Sequence, residues 1–238
     1  MCKFFSLVSD GKGKPYYFDW ELRKKVLSGE IKDYEPDSHT SIADYFGFKK
    51  EKEDKLNKYE YNPLTKYFTI DQINTEDDSA KIEKFCRELD FKRVVKPLRV
   101  KNIIHPFKIK PPKEITEKDI ELVKEWASVV ASVGNNVGDS VGDSVGDNVW
   151  DSVWDSVRAS VWDSIVASVG DSVVASVWDS VRAYCSDFVD AKYKYDFSPV
   201  IKLWKKGLVP SFDGKLWRLH GGKNGKILWM ESQQSKGG

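Results

Sequence analysis

A branched apolar residue recurs at every fourth position from Val129 to Val181 without a slip. The repeating unit reads Ser-Val-x-Asp or Ser-Val-x-Ala, where x is usually Gly, Trp, Arg or Val. A period of four lies near the 3.6 residues of an α-helical turn and is also twice the period of a β-strand, so the period alone does not separate the two structures. The structure of this segment determines how the rest of the chain can be arranged.

Helix propensity argues against a single long helix. Residues 137–149 are built mainly from Gly, Asp, Ser and Val, each of which costs roughly 0.5–1 kcal/mol relative to Ala in a helix. A strict four-residue apolar repeat would also move around a helix by about 40° per unit. We therefore expect a β-solenoid of tetrapeptide repeats at residues 129–183, with Val inside, Ser at the corners and Asp capping the turns. One long α-helix is the alternative.

The variable position of the repeat faces outward in this solenoid. With three units per coil, Trp150 would stack over Trp162. Exposed Trp and Arg side chains bordered by Asp are typical of protein interfaces, although a stacked ladder that only stabilises the coil is the alternative. The predicted interaction surface comprises Trp150, Trp154, Trp162, Trp178, Arg158 and Arg182.

The flanking sequences predict small α+β modules. Turn signals such as Asp213-Gly214 between apolar runs predict hairpins, and Thr116 with Asp119 predicts a capped helix that closes one end of the solenoid. The expected organisation is an α+β domain at 1–91, a basic Pro-containing linker at 92–113, a capping helix at 114–128, the solenoid at 129–183, a C-terminal helix with a β meander at 184–231, and a disordered tail at 232–238.

Charge is segregated along the chain. The whole sequence has 38 Lys and Arg against 37 Asp and Glu, yet residues 129–181 contain eight Asp and one Arg. An acidic middle therefore lies between basic flanks. Basic side chains interleaved with Trp in the C-terminal module are candidates for binding nucleic acid, although we expect Trp217 and Trp229 in the core. These basic candidates are Lys205, Lys206, Arg218, Lys223 and Lys226.

Two residues in the first 40 could carry out catalysis. Cys2 becomes an N-terminal nucleophile if Met1 is removed, as in one class of hydrolases. His39 follows Asp37 and Ser38 and has a suitable intrinsic pKa, although Ser and Asp before a helix more often serve as turn and cap residues. The three His and three Cys are dispersed through the sequence, so we expect neither a metal site nor a cofactor.

No apolar stretch approaches the roughly 18 residues of a membrane span, and the N-terminus does not read as a signal peptide. We therefore expect a cytoplasmic protein.

Several longer strings resemble one group of proteins. The start MCKFFS, the string DSHTSIADYFG at 37–47, the SVWD and SVRA tetrapeptides, and GLVPSFDGKLWRLHGGK at 207–223 are similar to uncharacterised proteins from tailed phages, prophages and gut metagenomes. The resemblance implies a phage-type accessory protein in a host cytoplasm and brings no catalytic residue. With the repeat, it favours a non-catalytic scaffold that binds a protein partner or copies of itself. A nucleic-acid-binding protein and an N-terminal-cysteine hydrolase are the alternatives.

Overall fold

The computed structural model describes residues 5–48, 54–134, 137–142, 147–169 and 173–232. The chain divides into two compact units, residues 1–101 and 102–238. The division falls inside the predicted linker at 92–113. Cys2 and, except for residue 232, the predicted disordered tail at 232–238 lie outside the described residues.

Unit 1 is an α+β unit with one antiparallel sheet in the order β2-β1-β3-β4. Its core includes Val8, Phe18, Ile42 and Leu56. Asp19 and Ser38 cap two of the helices by accepting backbone N–H groups, as their positions before apolar runs predict. Its elements are β1 (Ser6–Ser9), β2 (Pro15–Tyr16), α1 (Trp20–Leu27), α2 (His39–Tyr45), β3 (Asn57–Asn62), β4 (Tyr67–Gln72) and α3 (Ser79–Glu88).

Unit 2 combines helices with a three-stranded antiparallel sheet in the order β5-β6-β7. The predicted capping box is confirmed, since the Thr116 hydroxyl accepts the Asp119 N–H and the Asp119 carboxylate accepts the Thr116 N–H. The three strands form the predicted meander. The elements are α4 (Glu117–Val133), α5 (Val137–Gly142), α6 (Asp147–Val169), α7 (Val174–Cys185), α8 (Ser198–Lys205), β5 (Leu208–Phe212), β6 (Trp217–Gly221) and β7 (Lys226–Met230).

The prediction of a β-solenoid at 129–183 is wrong. The described part of the repeat is α-helical, and it forms the end of α4, then α5, α6 and α7. The alternative of one long helix is also inaccurate, because the repeat is divided among several helices. Gly134 ends α4 with a φ of 69°, a conformation that glycine adopts without steric cost.

The four-residue period is compatible with α5 and α7 because these two helices are short. Val137 and Val141 are buried on α5, and Val177 and Val181 are buried on α7. On the longer α6 the stripe turns by about 40° per unit. Its middle residues are therefore fully buried, at 153, 157, 161 and 165, whereas Val149 and Val169 at its two ends are only half-buried. Burial of Val in the core outweighs the unfavourable helix propensity of the other residues.

The Ser positions of the repeat do not form solenoid corners. The Ser156 hydroxyl donates to the carbonyl of Ser152 at 2.7 Å, and the Ser160 hydroxyl donates to the carbonyl of Ser156 at 2.7 Å. Each hydroxyl is thus satisfied within its own helix, four residues back. A row of serines is therefore compatible with a helix that has polar groups near its buried face.

Candidate interaction site on the repeat helices

The tetrapeptide unit gives α6 four rows of side chains in four environments. Successive residues on a helix are about 100° apart, so each position of the unit follows its own line along the surface. The valines are buried, and the serines bond to the carbonyls of the preceding turn. The variable position is mostly Trp and is half-buried. The remaining position carries exposed carboxylates at Asp151, Asp155 and Asp163, which we name the acidic row.

The four tryptophans of the predicted interaction surface contact one another. Trp150 stacks on Trp154 with ring centroids 6.3 Å apart. Trp178 of α7 meets Trp154 edge-on at 4.7 Å and Trp162 edge-on at 4.1 Å. The pairing of Trp150 with Trp162 that the solenoid predicted is not part of this arrangement. The indoles are half-buried, so each contributes to packing between α6 and α7 and keeps an accessible part.

Arg182 completes the aromatic cluster, the name we use for Trp150, Trp154, Trp162, Trp178 and Arg182. Its guanidinium lies 5.2 Å from the ring centroid of Trp178 and 5.8 Å from that of Trp154. Such cation–π contacts favour Arg over other cations because its planar group stacks on the rings. Arg158, the other predicted Arg, lies exposed on α6.

Two glycines of the repeat make room for this cluster. A Cβ atom on Gly138 would lie 2.9 Å from Cδ of Arg182, and one on Gly142 would lie 3.3 Å from Cδ1 of Trp150. Glycine at these two variable positions therefore has a packing reason, because a larger side chain on α5 would collide with the cluster.

Asp179 lies next to the aromatic cluster and differs from the acidic row. Burial raises the pKa of its carboxyl to about 6, and the charge of Arg182 opposes this increase only in part. Asp179 occupies the same position of the repeat as the acidic row. On α7 this position is less exposed, since Asp179 is half-buried and Ala183 of the next unit is fully buried.

Three of the five predicted nucleic-acid-binding cations are paired with carboxylates. Lys205 lies 2.8 Å from Asp187. Lys206 lies 2.5 Å from Asp119. Arg218 pairs with Asp213. These carboxylates would have to be displaced before the cations could neutralise phosphates.

The remaining two cations, Lys223 and Lys226, are exposed. The predicted aromatic partners for bases are mainly packed in the core: Trp204 is fully buried, whereas Trp217 and Trp229 are half-buried against core residues. A nucleic-acid interface stays a prediction.

The group at Asp37, Ser38 and His39 is engaged with the backbone and with Arg23. Asp37 accepts two hydrogen bonds from the Arg23 guanidinium, at 2.8 and 2.5 Å. Ser38 caps α2, and His39 donates from Nε2 to the carbonyl of Tyr59 at 3.0 Å. Each side chain therefore has a structural role, and Cys2, the other catalytic candidate, lies outside the described residues.

A buried Ser–His pair was not predicted from the sequence. His220 donates from Nδ1 to the carbonyl of Gly225 at 2.9 Å, which leaves Nε2 free to accept the Ser211 hydroxyl at 2.7 Å. Burial lowers the pKa of His220, which favours its neutral form. The geometry resembles an activated nucleophile, but Ser211 has no accessible surface and a substrate cannot reach its hydroxyl. The pair links β5 and β6.

Asp78 is the centre of a second network that sequence reasoning missed. The carboxylate is 3% exposed and accepts hydrogen bonds from Asn57 at 2.9 Å, from the Tyr59 hydroxyl at 2.7 Å and from the Gly13 N–H at 2.7 Å, as well as from the Ser9 hydroxyl. Burial favours a higher pKa, but the donors outweigh it and hold the pKa of Asp78 below its ordinary value. The network ties the turn after β1 to β3 and to the start of α3.

Unit 1 also has a surface cavity of about 220 Å³. Its wall includes Tyr61, Phe91 and Cys86, with Lys66 and Lys92 among its polar residues. Burial raises the pKa of the Cys86 thiol to about 12, so this cysteine is not an activated nucleophile. Among the residues that the structure describes, no three His, Cys, Asp or Glu side chains are grouped to bind a metal ion.

Comparison with protein-family models, with curated proteins and with solved structures finds no match to this chain. In the described ranges, no helix combines the length and apolar character needed to span a bilayer. The arrangement of its own side chains is therefore the basis for inferring what the protein does.

Proposed function

We propose that this protein is a non-catalytic binding protein that recognises a Lys- and Arg-rich segment of a partner protein along helix α6. The acidic row supports this proposal most directly. Its three carboxylates are exposed, and among the described residues none of them is in a salt bridge. Their charge is available to a basic partner, and Arg158 is the one cation on the same helix.

The aromatic cluster adds specificity to this surface. Asp151 lies three residues before Trp154 on α6, so its exposed carboxylate and the accessible part of this indole are neighbours on the helix surface. An Arg side chain on a partner can stack on an indole and pair with a neighbouring carboxylate at the same time. Trp–Arg combinations of this kind often dominate the free energy of protein recognition.

A phage-type accessory role in the cytoplasm of a host cell is consistent with such a surface and forms part of the proposal. Its support is the resemblance of the MCKFFS start, the tetrapeptides and the C-terminal string to phage and prophage proteins.

Binding of a fluorescein-labelled peptide of alternating Arg and Gly to the full-length protein tests the proposal. We expect the variant Asp151→Asn/Asp155→Asn/Asp163→Asn to bind about tenfold more weakly, a loss of about 1.4 kcal/mol. The matched control is Glu117→Gln/Glu121→Gln/Glu125→Gln, which removes three exposed carboxylates from α4. The control should bind like the unmodified protein. Equal weakening by both variants, or no binding of the peptide at low salt, would exclude α6 as the recognition surface.

A further inference from the structure

The two edges of the β5-β6-β7 sheet differ in whether their backbone groups have hydrogen-bond partners. At the outer edge of β5, the Phe212 N–H donates to the Ser176 hydroxyl at 2.8 Å, and the Ser180 hydroxyl lies 3.3 Å from the Pro210 carbonyl oxygen. Serines of the repeat helix α7 therefore satisfy backbone groups of this edge strand. In the described part of the chain, β6 is the only strand that pairs with β7. The sheet thus has one covered edge and one open edge.

The open strand carries apolar side chains that are accessible to solvent. Ile227 is 54% exposed, Leu228 is 39% exposed and Met230 is 51% exposed. Exposed edge strands usually carry charge or Pro in their interior, because an unpaired row of N–H and C=O groups invites pairing with another chain. In β7, charge is confined to Lys226 at the start and to Glu231 directly after the strand.

The backbone of β7 presents pairing groups on its outer side. The Glu231 N–H bonds to the Trp217 carbonyl at 2.9 Å and so points toward β6. Because the N–H groups of adjacent strand residues point in opposite directions, the N–H and C=O of Met230 face outward. The register shift between Leu219 and His220 places one extra residue, Leu228, in β7. The pairing surface is therefore short.

The sequence of the strand is complementary to itself. In an antiparallel pair of Lys-Ile-Leu-Trp-Met-Glu strands, Lys226 of each copy lies opposite Glu231 of the other, and Ile227 lies opposite Met230. A two-fold axis repeats each contact twice, as in other isologous dimers. We propose that β7 is the interface of a homodimer, in which two copies of this chain join their sheets edge to edge. The inference does not depend on the proposed binding function of α6.

Light scattering coupled to size exclusion tests the inference on the full-length chain. At micromolar concentrations we expect a mass of twice 27.2 kDa. Two variants should return the mass to 27.2 kDa. Met230→Pro removes an outward N–H without removing a bond to β6. Ile227→Lys places two like charges at the interface.

The control is Ile70→Lys, which makes the same change at a 48% exposed residue on β4 of the other sheet. It should remain dimeric. Circular dichroism spectra identical to that of the unmodified protein establish that a monomeric variant is folded. A monomeric unmodified protein, or a dimer that persists in both β7 variants, would overturn the proposal. Peptide binding along α6 is measured in a separate experiment. Failure of the dimer proposal can therefore be told apart from failure of the proposed binding function.

Discussion

The backbone N–H of Phe212 donates a hydrogen bond of 2.8 Å to the hydroxyl oxygen of Ser176. The same hydroxyl donates to the Val173 carbonyl at 2.9 Å. One serine of the repeat thus closes a turn of its own helix and supplies the missing ladder partner of an edge strand. This contact connects the repeat to the C-terminal meander, two segments that the sequence presents as separate modules.

Replacement of Ser176 by Ala should therefore destabilise the protein. The partly buried Phe212 N–H would lose its acceptor, which lowers the free energy of unfolding by about 1–2 kcal/mol. Urea unfolding followed by Trp fluorescence measures this change. The control is Ser160→Ala, since the Ser160 hydroxyl bonds within α6, to the Ser156 carbonyl. That variant should unfold within about 0.5 kcal/mol of the unmodified protein. Equal losses in the two variants would mean that the strand contact contributes nothing.

Local capping and strand signals could be read from the sequence, and the repeat could not. Asp19, Ser38 and Thr116 cap the helices that follow them because their side chains bond to N–H groups two or three residues away. Inward Val was also predicted, but a solenoid and a helix both bury it. The choice between them depends on how much Val burial outweighs the propensity of Gly, Asp and Ser, and that balance is set by tertiary contacts.

The contacts around the candidate site are long-range and leave little trace in the sequence. Gly138 has a low helix propensity, but a Cβ atom at this position would collide with the Arg182 side chain on another helix. Asp78 directly precedes α3, but no N–H of α3 bonds to its side chain, which instead accepts hydrogen bonds within unit 1. Its donors come from β1, β3 and the turn at Gly13, which only the assembled sheet brings together.

The Asp78 network predicts a large loss of stability in unit 1 when the carboxylate is removed. Asp78→Ala leaves the buried donors of Ser9, Asn57 and Tyr59 without an acceptor, so we expect a loss of about 2–4 kcal/mol. Amide hydrogen exchange of peptides that cover β1 and β3 in the full-length protein measures this loss locally.

The control is Glu76→Ala, which removes an exposed carboxylate two residues away. Its exchange should match that of the unmodified protein.

The pKa of Asp78 is lowered in the folded state, so its stabilisation is present above the ordinary pKa of 3.8 and is lost as the pH falls below it. Asp78→Ala should lack this acid sensitivity. Unchanged exchange in β1 and β3 would show that the network contributes no stability.

Asp179 predicts the opposite dependence on pH. Its pKa in the folded state is raised to about 6, mainly by burial, from an ordinary value of 3.8. Between these values the folded protein binds more protons at this site than the unfolded chain does, so the contribution of Asp179 to stability falls as the pH rises from about 4 to about 6. Above that range the buried charge destabilises unit 2 by an amount that no longer changes.

Asp179→Asn removes this charge and should raise the free energy of unfolding by about 1 kcal/mol at about pH 8, with no gain at about pH 4. Asp155→Asn, at the same position of the repeat but exposed on α6, is the control and should show no such difference between the two pH values. If Asp179→Asn stabilised the protein equally at both pH values, the gain would come from something other than the charge of Asp179.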